Sequence, residues 1–87
     1  MKLIFSPVAE KQLKKLAKVA QIAIAGKVRN LREGNFLSTT KLAGYKNLYR
    51  TRAGNFRLVF RKSSESIYVV VLGHRKEIYK ILEQLLK

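Results

Sequence analysis

An uninterrupted apolar run, Ile67-Tyr68-Val69-Val70-Val71-Leu72, restricts the fold of this chain more than any other segment. It is short, rich in β-branched residues and bounded by Ser63-Ser64-Glu65-Ser66 and Gly73, so it reads as a strand. Because it does not alternate, it is expected to be buried on both faces and central in its sheet. Two strands precede it. Tyr49 to Arg52 alternates, and Phe56 to Arg61 alternates with Phe56, Leu58 and Phe60 on one face. Ala53-Gly54-Asn55 and the serine-rich segment supply hairpin turns.

The N-terminal half is helical in pattern. Lys2 to Phe5 is a short strand candidate, stopped by Ser6-Pro7, an N-cap followed by proline at the first helical position. Ala9, Leu13, Leu16, Ala17 and Ala20 then recur at helical spacing, with Lys11, Lys14, Lys15 and Lys18 mostly opposite. A second stripe through Ile24, Val28 and Leu31 runs to a stop at Glu33-Gly34-Asn35, with Gly26 inside it at modest cost. One bent rod or two helices would satisfy this pattern; a break near Ala17 to Ala20 gives a helical hairpin. Residues 34 to 47 are polar and contain glycine, so they read as a connection. The chain closes on Ile78, Ile81, Leu82 and Leu85, the stripe of a helix packed back on the sheet. The expectation is an α+β fold in the order β-α-α-β-β-β-α. It has a small, mostly antiparallel sheet of about four strands, an N-terminal helical hairpin and a C-terminal helix. A length of 87 residues suits one domain spanning 1–87.

Charge narrows the partners. Nineteen Lys and Arg against five acidic residues, all Glu, give a net charge of +14. Nucleic acid, an acidic membrane or an acidic protein are the usual partners of such a surface. The cations are spread along the chain rather than gathered in a tail, which suits a charged face. Without cysteine there is no disulfide or thiolate chemistry, and with one His and no Asp a metal cage is not expected. No stretch approaches the roughly 20 apolar residues of a membrane span, and the N-terminal apolar run is too short for a signal peptide. The expectation is a soluble cytoplasmic domain with no metal and no small-molecule cofactor.

Arginines punctuate the strands. A two-residue turn at Ala53-Gly54 sets Arg50 opposite Arg57, and one at Gly54-Asn55 sets Arg52 opposite Arg57; either places Arg50, Arg52 and Arg57 on one face, and a three-residue turn would break this. Like charges opposed across strands cost a few tenths to about 1 kcal/mol. A solvated outer face is the plain explanation. Arginine, whose fork suits phosphate, points instead to an anion-binding face. Arg75 sits in His74-Arg75-Lys76, expected to open the last helix, where cations oppose the helix dipole unless a phosphate joins them. Tyr79, four residues on, is expected on the same helix face, either packing or offering its phenol to a base or a proton. His74 is the sole histidine, the residue type suited to proton transfer near neutrality, although a cap or packing role is as natural for it. Lys41 and Lys46, in the connection, are solvated charges able to add phosphate contacts. No two of the scattered glutamates pair as acid and base.

Lys41-Leu42 followed by Gly44, Leu48-Tyr49-Arg50-Thr51-Arg52, Asn55-Phe56-Arg57-Leu58-Val59-Phe60, and Val71-Leu72-Gly73-His74-Arg75-Lys76-Glu77-Ile78-Tyr79 together resemble the RelE/ParE superfamily of toxin–antitoxin toxins, RelE-like members in particular. The resemblance covers nearly the full length. It implies a toxin that enters the ribosomal A site and cleaves mRNA without metal. Attack of a 2′-hydroxyl on the adjacent phosphate leaves a 2′,3′-cyclic phosphate and a 5′-hydroxyl. It also implies a cognate acidic antitoxin that masks the basic face. Arg57 and Arg75 match the phosphate-stabilising arginines, and Tyr79 matches a C-terminal tyrosine of some members. Arg50 stands where one of a pair of strand lysines is found, while the partner position is Leu48, so His74 or Arg50 is left to serve in proton transfer. Arginine is a strong stabiliser of a phosphorane but a poor base.

The expected function is therefore a ribosome-dependent mRNA endonuclease, with Arg57, Arg75, Tyr79 and His74 catalytic and Arg50, Arg52, Lys41 and Lys46 on the phosphate backbone. The alternative is a ParE-like inhibitor that binds DNA gyrase and performs no chemistry.

Overall fold

The computed structural model describes residues 1–85; Leu86 and Lys87, the end of the expected 1–87 domain, lie outside the described residues. The chain runs β1 (Lys2–Phe5), α1 (Pro7–Lys15), α2 (Lys18–Arg32), β2 (Thr39–Lys41), β3 (Leu48–Ala53), β4 (Phe56–Lys62), β5 (Ser66–His74) and α3 (Ile78–Leu85). This is the expected α+β arrangement of helical hairpin, mostly antiparallel sheet and C-terminal helix, with the helical break at Leu16 and Ala17. The strand number needs correction. The sheet has five strands rather than about four, in the order β1-β5-β4-β3-β2. Thr39–Lys41, expected to be connection, pairs antiparallel with β3, Thr39 opposite Thr51 and Lys41 opposite Tyr49. Three polar residues are too few to show alternation, and it is the open edge of β3 that recruits them.

β5 lies between β1, to which it is parallel, and β4, to which it is antiparallel. Both its faces are covered, as its unbroken apolar run requires. On one face Leu58, Phe60, Ile67, Val69 and Leu72 pack under Ala9 of α1 and Ile24, Val28 and Leu31 of α2. On the other, Leu48, Val59, Val70 and Val71 pack under Ile78 and Leu82 of α3. Each fully buried aliphatic side chain contributes about 1.5–3 kcal/mol, so Ile78 and Leu82 are enough to hold a helix as short as α3 in place. Pairing runs Val59 to Val71 and then Phe60 to Val69, leaving Val70 as a bulge. Two sequence neighbours, Val70 and Val71, thus both face α3.

β1 ends at Phe5, and α1 takes over the edge of β5. The Ser6 hydroxyl accepts from Ala9 N–H at 3.0 Å as the N-cap and donates to the Val70 carbonyl at 2.6 Å. Six residues further along, Gln12 Oε1 accepts from Leu72 N–H at 2.9 Å. Side chains of α1 thereby complete the ladder that β1 leaves short. α2 ends in a Schellman motif: Gly34, at φ +86°, donates to Leu31 O at 3.0 Å, and Asn35 donates to Asn30 O at 2.8 Å. That turn delivers Phe36 to the sheet. Among the described residues, no helix is long and apolar enough to cross a membrane.

A second correction concerns the start of the last helix. His74 is still in β5, opposite Phe56, residues 75–77 form a turn, and α3 begins at Ile78. Strand pairing with β4 holds the chain extended through His74, and the Arg75 N–H is drawn to Asn55 O at 3.3 Å. Arg75 and Tyr79 therefore do not share a helix face.

Candidate anion-binding face

β3 and β4 are joined through Gly54-Asn55, with Ala53 opposite Phe56 and Arg52 opposite Arg57. Gly54 has φ +62° and Asn55 does not take a positive φ, the type II′ pattern whose twist matches that of the strands. Of the turns open to the sequence, the two-residue turn at Gly54-Asn55 is the one adopted. It sets Arg50, Arg52 and Arg57 on the face of Leu48 and Val59, the face that α3 covers in part.

Arg50 is half-buried and donates from Nη1 to Tyr79 Oη, with its Cζ 5.9 Å from the centre of the phenol ring. Ile78 and Leu82 fix α3, and Tyr79, between them in sequence, projects from its rim. Arg57 is half-buried and donates from Nη1 to Phe56 O at 3.2 Å, whereas Arg52 is exposed. With Ser38, Thr40 and Thr51, the three arginines line a cleft of about 170 Å³. Thr40 enters because β2 sets it opposite Arg50, and Ser38 stands at φ +65°, with its carbonyl accepting from Thr51 Oγ1 at 3.5 Å. Opposite Arg57 on the other side is Gly73, so no side chain on β5 crowds that guanidinium. Among the described residues, no carboxylate comes within ion-pair distance of these arginines; the ion pair present is Lys14 with Glu10, on α1.

Arg75 is exposed in the turn after β5, its backbone tied to Asn55 in the loop between Arg52 and Arg57. His74 is not brought to the arginines. Its ring meets Phe56 edge-on at 6.2 Å and 84°, on the face where Phe56 packs under α1 and α2, and its Nδ1 accepts from Lys76 N–H at 3.4 Å. Lys41 is likewise elsewhere, lining a second cleft with Phe36, Thr39, Tyr49, Phe60 and Lys62. Lys46 is exposed in the loop between β2 and β3. The face thus gathers Arg50, Arg52, Arg57 and Tyr79, with Arg75 at its border. Ser38, Thr40 and Thr51 are the lining positions that sequence reasoning missed; the β-branched pair Thr39-Thr40 was the available signal for a strand there.

Cations gathered on one sheet face, one of them held by a phenol and none with a carboxylate at ion-pair distance among the described residues, give this small α+β protein a strongly basic face. The fold carries the assignment further. Residues 3–79 match the family model described as the ParE toxin of type II toxin–antitoxin systems, parDE, and the chain belongs to that family. Solved structures of RelE and YoeB proteins share its fold. A chain of the RelB–RelE antitoxin–toxin complex from Methanococcus jannaschii is 26% identical, with a TM-score of 0.75 over 90% of this chain and 96% of that one. The isolated E. coli RelE toxin is 23% identical, with a TM-score of 0.74 over 99% and 98%. The YoeB dimer from Staphylococcus aureus is 19% identical, with a TM-score of 0.73 over 86% and 97%. Comparison with curated proteins found no match.

Proposed function

We propose that this toxin is a ribosome-dependent mRNA endonuclease, restrained by a cognate acidic antitoxin of the kind that accompanies its RelE and YoeB relatives in their complexes. The observation that carries the proposal is the Arg50, Arg52 and Arg57 face with the Tyr79 phenol held against Arg50. In the reaction, the 2′-oxygen of one nucleotide forms a bond to the adjacent phosphorus as the bond to the 5′-oxygen breaks. The 2′-hydroxyl proton leaves to solvent, and the departing 5′-oxygen takes up a proton. Products are a 2′,3′-cyclic phosphate and a 5′-hydroxyl.

Arg57 and Arg75 offset the charge that develops on the phosphorane, while Arg50 and Arg52 hold the flanking backbone. Arg50 donates to a lone pair of Tyr79 Oη and so leaves the phenol proton free for the 5′-oxygen. Arginine does not act as a base at neutral pH, and His74 packs against Phe56 on the other sheet face. Without a strong base of its own, the site depends on in-line positioning of the mRNA, which the ribosome supplies.

Primer extension on mRNA from a translating extract, run beside a gyrase supercoiling assay, tests this reading. Arg57→Ala is expected to lower cleavage about 100-fold or more while antitoxin binding persists. Wild-type cleavage by Arg57→Ala overturns the site. The family match supports one other reading, a ParE-like inhibitor of DNA gyrase, and intact mRNA with blocked supercoiling would select it.

A further inference from the structure

The second cleft lies across the sheet from the arginines. It has a volume of about 180 Å³ and is lined by Phe36, Thr39, Lys41, Tyr49, Phe60 and Lys62. Its aromatic rings are nearly parallel: Phe36 and Tyr49 each lie 23° from Phe60, at 6.4 and 5.8 Å between centres. Lys62 Nζ stands 4.2 Å from the centre of the Phe36 ring. Thr39 Oγ1 is buried with no hydrogen-bond partner. β2, an edge strand, separates this cleft from the first: Ser38 and Thr40 line the arginine cleft, Thr39 and Lys41 line the aromatic one.

We infer that this aromatic cleft holds a base of the same RNA strand whose phosphate lies among Arg50, Arg52 and Arg57, the strand turning over the edge at β2. The inference rests on the nuclease reading and adds to it a base-selecting subsite. The half-buried rings of Phe36 and Tyr49, backed by the fully buried Phe60, offer a stacking platform that any base fits, and Lys41 and Lys62 at the rim meet the flanking phosphates. The orphaned hydroxyl decides between ligand classes. An aliphatic anchor from a protein would leave Thr39 Oγ1 unpaired, whereas the polar edge of a base supplies a partner once the side chain turns to another staggered rotamer.

The test uses 2′-O-methyl hexanucleotides, which lack the attacking hydroxyl, and follows binding by fluorescence anisotropy in low salt. A single abasic residue is moved through each position. For the wild-type protein, one position is expected to lose about five- to a hundredfold in affinity when its base is removed. Tyr49→Ala is expected to lose a similar factor on the intact strand and to show no loss at that position in the scan. Thr39→Val, which keeps the shape of the side chain, is expected to bind the abasic strand as the wild type does and to lose its preference among bases. Hexanucleotides that do not bind at millimolar protein, or a scan that Tyr49→Ala and Thr39→Val leave unchanged, overturn the inference. So does weakened antitoxin binding by both variants with an unchanged scan, which assigns the cleft to a protein. Because the strand cannot be cleaved, the scan reports on the cleft alone, and loss of the nuclease reading would appear only in the extract.

Discussion

Replacing Ser6 by alanine removes two functions of one buried hydroxyl. It caps α1 by accepting from Ala9 N–H, and it satisfies the Val70 carbonyl at the bulge of β5. Loss of the cap costs about 0.5–2 kcal/mol. A buried carbonyl deprived of its donor costs about 1–3 kcal/mol. Ser6 is 7% exposed and Val70 8%, so water does not readily substitute. The combined expectation is a loss of about 1.5–5 kcal/mol, against about 5–15 kcal/mol for a whole domain. For a chain of this size each kcal/mol shifts Tm by about 4–8 °C, which predicts a fall of about 6–40 °C. Thermal and urea unfolding followed by circular dichroism, in an Arg57→Ala background that permits expression, provides the measurement. Ser6→Asp separates the two functions, since a carboxylate caps the helix yet cannot donate to Val70; it is expected to recover only the cap. Ser6→Ala within about 0.5 kcal/mol of the parent, or Ser6→Asp as stable as the parent, would refute the double role.

Gln12→Leu strips the acceptor from Leu72 N–H and is expected to cost about 1–3 kcal/mol, with faster hydrogen exchange at the Leu72 amide; Gln12→Glu, which keeps an acceptor, is expected to restore protection. Gly73→Ala meets nothing within 4 Å and its backbone is not left-handed, so stability is expected to stay level or rise by about 0.4–1 kcal/mol, read by urea unfolding. Gly73→Val, which sets a larger group beside Arg57, is expected to lower mRNA cleavage in the extract without destabilising the fold. Tyr79→Phe keeps the ring but removes the hydroxyl that Arg50 holds; cleavage is expected to fall about 100-fold or more, with Tm nearly unchanged.

Much of the frame was legible because hydrophobic burial writes itself into sequence. The unbroken run from Ile67 to Leu72 demanded a strand covered on both faces, and β5 is that strand. Pairing arithmetic put the arginines together for either two-residue turn of the β3–β4 hairpin but not for a three-residue one, and the two-residue turn at Gly54-Asn55, with Gly54 at positive φ, is the one adopted. What escaped depends on neighbours rather than on local pattern. Thr39–Lys41 becomes a strand only because β3 has an edge to offer. His74 stays in β5 because Phe56 pairs with it, which moves Arg75 off the helix. The aromatic cleft draws Phe36, Tyr49 and Phe60 from separate segments, and the sequence holds no signal that they stack.

The bulge at Val70 has a consequence for how such a site varies. Strict alternation from Tyr68 onward, with every residue kept, would put His74 beside the arginines and turn Gly73 away. The bulge inverts that parity for the end of the strand. Deletion of Val70 would only remove the bulge and leave Gly73 opposite Arg57, whereas loss of the bulge with every residue kept would slide the end of β5 by one and set an imidazole on the arginine face. Whether β5 bulges at Val70, rather than how many residues it counts, thus governs which chemistry the face displays.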